Sequence, residues 1–141
     1  METKFNFNSQ ICTTREQSER LLALGLKKET ADTTIHIKKD GHWYVTADPF
    51  YEWEDDMNTL PCLEEPDGIL PAWSLHRIMS MLPRCVDGGY RLVMSYDHIA
   101  YRTTYDDVTT WWRGGGNLYD MIVETIEWLI KEGDLKKEYL V

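Results

Sequence analysis

The sequence predicts an α+β protein in which an antiparallel sheet of hairpins and a meander packs against about three helices, with the C-terminal helix in the core. Apolar residues recur every three to four positions in 14–24, 71–82 and 117–131, the spacing of helices buried on one face. They alternate every second position in 34–46 and 90–112, which indicates strands. Because these segments do not alternate as strand–helix–strand units, we expect antiparallel pairing with the helices on one face.

The first helix is predicted over 14–24. Two capping boxes fit its start, Thr13 with Glu16 or Thr14 with Gln17, and the sequence leaves both open. Gly25 followed by an apolar residue is typical of a glycine C-cap whose next side chain folds back on the last turn.

A hairpin is predicted over 34–46, and its side chains favour one loop. A two-residue loop at Asp40 and Gly41 would place Trp43 and Val45 opposite polar residues. A three-residue loop at 39–41, with the glycine in a left-handed bulge, instead brings the four large apolar side chains to one face. Those four are Ile35, Ile37, Trp43 and Val45.

The segment 47–70 contains prolines and a turn sequence, and it predicts no long element. An irregular stretch of this length in a compact domain is either functional or contains an element that the pattern does not reveal. Pro71 and Ala72 are predicted to open the second helix, which Pro83 ends. Trp73 is expected to pack beneath the preceding loop.

Three alternating runs between Tyr90 and Trp112 predict the meander, with a turn at Asp97 and His98. A Gly114–Gly116 link joins it to the last helix. That link precedes a helix as phosphate-binding loops do, but it lacks their spacing and their lysine, so we interpret it as a connection.

The last helix, 117–131, is expected to be the core helix. Asn117 is a good N-cap, Asp120 faces the positive end of the helix dipole, and Gly133 fits a left-handed C-cap. Val123 and Trp128 make its apolar arc wider than one sheet face requires. We therefore expect it to lie in a groove between the sheet and a second helix or a dimer partner.

Length and composition fit one domain of 141 residues with a globular hydrophobic fraction of 43%. No run approaches the roughly 18 to 20 apolar residues that cross a bilayer, so no membrane association is expected. The first ten residues, read as an extended arm or edge strand, lack the basic and apolar regions of a secretory signal. A cytoplasmic protein is expected, with Cys12, Cys62 and Cys85 as reduced thiols.

The chain is acidic, and its charge is unevenly distributed. A net charge of −9 argues against the nucleic-acid backbone as a direct partner, because phosphate binding requires clustered Lys and Arg. Between Asp40 and His76 there is no Lys or Arg, although this stretch is rich in carboxylates. A solvated face is the simpler interpretation, and a surface that attracts a basic partner is the alternative.

Three of the six tryptophans, Trp43, Trp73 and Trp128, fall in predicted apolar faces. Adjacent Trp111 and Trp112 in a strand must point to opposite sides, so one of them leaves the core side. An exposed aromatic beside an acidic surface is typical of protein-binding sites, although a second packing layer or a dimer contact would cover the same side chain. The predicted interaction patch consists of Tyr51, Trp53, Glu54, Asp55, Asp56, Trp111 and Trp112.

The sequence contains only weak signals for a catalytic or metal-binding site. The four histidines lie far apart and lack a metal-ligand spacing, although His36 and His42 belong to one hairpin. The acidic pairs do not follow a calcium-loop pattern, and neither a serine nor a cysteine nucleophile motif is present. No metal and no cofactor is predicted.

Several short segments resemble small proteins encoded in prophage and other mobile-element regions of gut anaerobic bacteria. The segments are 12–13, 17–18, 21–26, 30–32, 71–75, 127–130 and Gly133, about a third of the chain. The resemblance implies a bacterial or phage cytoplasmic setting. It transfers no catalytic residue, because it implies no activity.

The sequence therefore favours a non-enzymatic acidic protein-interaction module whose partner is another protein, expected to be basic. A variant of this hypothesis is an acidic mimic that occupies a nucleic-acid-binding protein. The alternative is a small hydrolase or metal-dependent enzyme that uses carboxylates with His36 or His42.

Overall fold

The computed structural model describes residues 10–50 and 68–141. Its helices are α1 (Arg15–Ala23), α2 (Leu75–Ser80) and α3 (Leu118–Glu132), with short 3₁₀ turns at Lys28–Thr30 and Lys137–Tyr139. Its strands are β1 (Thr33–Ile37), β2 (Trp43–Thr46), β3 (Gly68–Ala72), β4 (Cys85–Val86), β5 (Tyr90–Ser95), β6 (His98–Arg102) and β7 (Thr109–Gly114). Within these residues, no helix has the length and apolar character to cross a bilayer.

The α+β class predicted from the sequence is confirmed, and the strands divide into two antiparallel sheets. A three-stranded sheet has the order β2-β1-β3, and a four-stranded meander has the order β4-β5-β6-β7. The sequence pointed to the hairpin and the meander, and the structure separates them because each packs on its own part of the helical layer.

Helix α3 lies at the centre of the main core, as predicted. Asn117 accepts a hydrogen bond from the Asp120 backbone N–H, and Gly133 ends the helix with φ 76°. The helix contacts β6 and β7 on one side and α1 and α2 on the other. Trp128 packs against Tyr101, with ring centroids 5.6 Å apart. The wide apolar arc therefore has a physical cause, since α3 is covered from both sides.

Helix α1 begins with the second of the two capping boxes. The Thr14 side chain accepts from the Gln17 backbone N–H, and the Gln17 side chain accepts from the Thr14 backbone N–H. The alternative cap, Thr13, is fully buried and its hydroxyl lies 2.7 Å from that of Ser18. At the other end, the Leu26 N–H bonds the Leu21 carbonyl, the fold-back that was predicted after the glycine.

The predicted start of the second helix is wrong. Pro71 and Ala72 end strand β3, and the helix begins only at Leu75, with Ser74 as its N-cap. Proline is tolerated here because β3 is an edge strand, where a missing N–H need not break a ladder. Strand β3 starts at Gly68, so it is the element that the irregular pattern of 47–70 did not reveal.

The meander follows the predicted strands and adds an unpredicted two-residue strand, β4, at its edge. The turn between β5 and β6 lies at Tyr96 and Asp97, one residue before the predicted position, because His98 already belongs to β6. The register of the meander shifts between Tyr101 and Arg102, opposite β7. The extra residue of this bulge, Thr110, lies in β7 beside the long turn that joins β6 to β7.

Trp73 lies at the centre of a buried polar network between elements. It is fully buried, and its indole N–H donates to the Thr30 hydroxyl at 3.0 Å. The backbone N–H of Trp73 donates to the Thr13 hydroxyl at 3.0 Å, and the backbone N–H of Thr13 donates to the carbonyl of Trp73. Beside it, the Asp32 carboxylate accepts from the Ser74 backbone N–H at 2.8 Å.

Replacing Gly25 by alanine is expected to lower the free energy of unfolding by about 1 kcal/mol, because its φ of 101° is strained for a residue with a Cβ. A Cβ at this position meets no atom within 4 Å, so the change isolates backbone strain from clash. Gly116 is the matched control, since it also has open space but no positive φ. Urea unfolding measures the free energy of unfolding of both variants. An equal loss for the Gly25 and Gly116 variants would contradict the assignment of backbone strain to Gly25.

Candidate interaction surface

The face of the β1–β2 hairpin that carries the large apolar side chains borders an open groove of about 500 Å³. Residues 10–16 form one wall, and the hairpin forms the floor. Trp43 is 68% exposed on the floor and Ile11 is 63% exposed on the wall. We call this surface the hairpin groove, and it is lined on the strands by Ile35, Ile37, Trp43 and Val45.

The register that creates the hairpin groove is the one that the sequence favours. Ile37 pairs with Trp43 and Ile35 pairs with Val45, and Gly41 in the loop has φ 85°. Alternate side chains therefore point to the other face of the sheet. The three-residue loop, rather than a two-residue loop, places the aliphatic and aromatic side chains together.

The opposite face of the hairpin turns toward the main core. His36 is fully buried there and stacks on Tyr44, with ring centroids 4.5 Å apart. Ile69, which pairs with His36, packs against the main core cluster. On the groove face, Cys12 forms a small separate cluster with Ile35 and neighbouring residues. Among the described residues, the groove face stays open while the main core packs on the other side of this sheet.

Periodicity identified the apolar face of Trp43, but it did not identify what covers that face. A strand buried on both sides differs in sequence from one buried on a single side, since its polar positions are lost. In β1 the residue between Ile35 and Ile37 is a buried histidine. Because β1 keeps this polar position, its alternation carried no signal that the hairpin is buried from its second face.

Five residues of the predicted interaction patch lie outside the residues that the structure describes: Tyr51, Trp53, Glu54, Asp55 and Asp56. The remaining two, Trp111 and Trp112, point to opposite faces of the meander. The structure therefore does not bring Trp111 and Trp112 into one surface.

Trp111 belongs to the core side. Its ring stacks on Trp128 with centroids 5.0 Å apart, and its indole N–H donates to the Thr125 hydroxyl at 3.0 Å. The Arg113 guanidinium covers the other face of the ring, 3.8 Å from its centroid. Arg113 in turn lies 3.5 Å from the Glu124 carboxylate.

Trp112 lies on the outer face of the meander and is 55% exposed. Its ring rests against Gly114, where an added Cβ would lie 2.6 Å from the indole. It pairs with Ala100, whose small side chain is covered at 1% exposure. The outer face of the meander therefore carries a second exposed aromatic side chain.

The two histidines proposed for catalysis occupy different environments. His36 is buried, its Nε2 lies 2.9 Å from the Thr46 hydroxyl, and burial lowers its pKa. His42 is exposed in the loop, where its Nδ1 lies 2.7 Å from the Asp40 carboxylate. Among residues 10–50 and 68–141, no group of three or more His, Cys, Asp or Glu lies where it could hold a metal ion.

The two described thiols also differ. Cys12 is buried in the wall of the hairpin groove, and burial, followed by the nearby Asp32 charge, raises its pKa. A thiol in that state is a poor nucleophile at neutral pH, because the thiolate is the reactive form. Cys85 is an exposed free thiol in β4.

Comparisons with protein-family models, curated proteins and solved structures find no match for this chain, so the surface is interpreted from its own geometry.

Proposed function

We propose that this protein works by binding another protein at the hairpin groove and carries out no chemistry of its own. The observation that carries the proposal is the open apolar groove itself, with Trp43 at 68% and Ile11 at 63% exposure. Exposed tryptophan bordering a concave apolar surface is typical of the centre of protein interfaces. A rim of hydrophilic residues within 10–16 accompanies it, as in most such sites.

The proposed partner is basic. Seven of the 24 acidic residues of the chain lie in 51–67, which contains no Lys or Arg. This stretch connects β2 to β3, so the carboxylates belong to the connection between two strands of the sheet that bears the groove. Such a charge distribution attracts basic proteins over distance and makes association depend on salt. The resemblance to mobile-element proteins supports an accessory role in bacteria or phages.

The double change Ile11→Ser and Trp43→Ser is expected to weaken partner binding at least about tenfold, because both side chains supply exposed apolar area. Both are mostly solvent-exposed, so the fold should be retained. The matched control changes Tyr96 and Tyr105 to serine, since these side chains are 89% and 97% exposed and lie away from the groove. Affinity capture from bacterial lysate, at low and high salt, identifies the partner, and titration calorimetry then compares the variants.

Retention of one basic protein by the native chain and the tyrosine control, and its loss with the groove variant, supports the proposal. Stronger capture at low salt supports the basic partner. Equal binding by the groove variant assigns the interaction to another surface, and capture of nothing at either salt concentration contradicts a protein-binding function.

A further inference from the structure

The exposed edges of the two sheets differ in how they are protected. Isolated edge strands usually carry charge, proline, a bulge or very short length, which prevents pairing with another chain. Strand β3 contains Pro71, β4 has two residues, and β7 has Arg113 and a bulge at Thr110. Strand β2, with sequence Trp-Tyr-Val-Thr, has none of these features. Within the part of the chain that the structure describes, β2 is the unprotected edge.

The free backbone groups of β2 can be assigned from the hairpin. The Lys38 N–H donates to the His42 carbonyl at 2.7 Å, which makes these two residues a hydrogen-bonded pair. Such pairs alternate along an antiparallel ladder, so Tyr44 and Thr46 also point their backbone groups toward β1. The N–H and C=O groups of Trp43 and Val45 therefore point away from β1, toward the outer edge.

We propose that β2 pairs antiparallel with β2 of a second copy of this chain, with Tyr44 on the two-fold axis. In that register Trp43 of each copy lies opposite Val45 of the other, and each pair exchanges both of its backbone hydrogen bonds. The two side chains then meet on the same face, and Val45 covers part of the exposed Trp43. Antiparallel pairing about a two-fold axis uses the same strand twice, as a closed dimer requires.

Charge complementarity supports a second copy as the occupant. The hairpin tip at one end of β2 carries Lys39 and His42, and its Asp40 is already bonded to His42 at 2.7 Å. The other end of β2 leads to Asp48. Antiparallel pairing places the tip of each copy beside the Asp48 end of the other, whereas parallel pairing would place like ends together.

The dimer goes beyond the proposed function and does not depend on it. The two-fold axis of an antiparallel strand pair is perpendicular to the sheet, so both hairpin grooves open on the same side. A partner with two binding segments would contact both grooves, which raises its apparent affinity.

Sedimentation equilibrium of the full chain tests the dimer. The native protein is expected to be dimeric at about 100 µM and to dissociate on dilution. Val45→Lys brings a positive charge from each copy diagonally across the two-fold axis and is expected to weaken the dimer at least about tenfold. The matched control, Val108→Lys, makes the same change at a residue that is 50% exposed and outside β2. A chain that stays monomeric at 100 µM overturns the proposal.

Two further measurements locate the contact. Amide hydrogen exchange of Trp43 and Val45 is expected to slow as the protein concentration rises, while exchange in the β7 edge strand stays constant. Lys39→Glu and Asp48→Lys are each expected to weaken the dimer, and the double variant restores it because the charges are exchanged across the axis. A dimer in which the Trp43 and Val45 amides remain unprotected, or in which the double variant is no better than the single ones, overturns the proposed interface. Circular dichroism at low concentration confirms that each variant is folded.

Discussion

Replacing Trp73 by alanine is expected to lower the free energy of unfolding by about 4 kcal/mol. The side chain is fully buried, and no other described residue of that volume is as completely enclosed. Its removal leaves a large cavity among α1, α2 and the 3₁₀ turn at Lys28–Thr30, and it removes the hydrogen bond from the indole N–H to Thr30. Urea unfolding followed by circular dichroism measures the loss.

Trp73→Phe is the control for the hydrogen bond. It keeps most of the ring volume and removes the indole N–H, so a smaller cost of about 2 kcal/mol is expected. The Thr30 hydroxyl still donates to the Lys27 carbonyl at 2.6 Å, so it is not left without a partner. If the alanine variant costs less than about 1 kcal/mol, Trp73 does not hold the elements together in solution.

The two adjacent tryptophans of β7 are expected to differ strongly in how much their replacement by alanine lowers the free energy of unfolding. Trp111→Ala should cost about 3 kcal/mol, because it removes the stack on Trp128 and leaves the Thr125 hydroxyl without its donor. Trp112→Ala should cost less than about 1 kcal/mol, since more than half of its side chain is already in water. Unfolding of both variants under the same conditions provides the comparison.

The outcome also decides the status of the outer meander face. If both substitutions cost several kcal/mol, Trp112 is buried in solution, by a dimer or another layer, and cannot belong to a free interaction surface. If Trp112→Ala barely changes the free energy of unfolding and the variant still binds the partner normally, partner binding is assigned to the hairpin groove instead.

The local features of the fold were predictable because their causes lie within a few residues. The capping box of α1, the left-handed ends at Gly25 and Gly133, and the loop at Gly41 each depend on neighbouring backbone groups. The hairpin register followed from side-chain alternation, since a shift by one residue would move the apolar side chains of one strand to the opposite face of the sheet from those of its partner.

Strand β3 was missed because its pattern is short and contains Pro71, which resembles the first turn of a helix. The backbone of β3 is extended because it pairs with β1, more than thirty residues earlier, and local propensity does not report that pairing. The same limit hid the contacts of Trp73, whose partner Thr13 is sixty residues away.

The candidate site was predicted in part. The sequence placed Trp43, Val45, Ile35 and Ile37 on one face, and the structure confirms that grouping. The sequence did not indicate that this face is open, because its exposure depends on which side of the sheet packs against the main core. The acidic part of the predicted patch, at 51–67, stays a prediction.

By itself, the sequence determined the α+β class, the C-terminal end of α1, both ends of α3, and the register of the hairpin, because these depend on short-range sterics and hydrogen bonds. Only the tertiary structure decided that the strands form two sheets, that Trp111 turns inward and Trp112 outward, and that residues 10–50 and 68–141 leave the hairpin groove uncovered. These features depend on which faces meet when distant segments pack, and the free energy of that choice is shared among residues far apart in the chain.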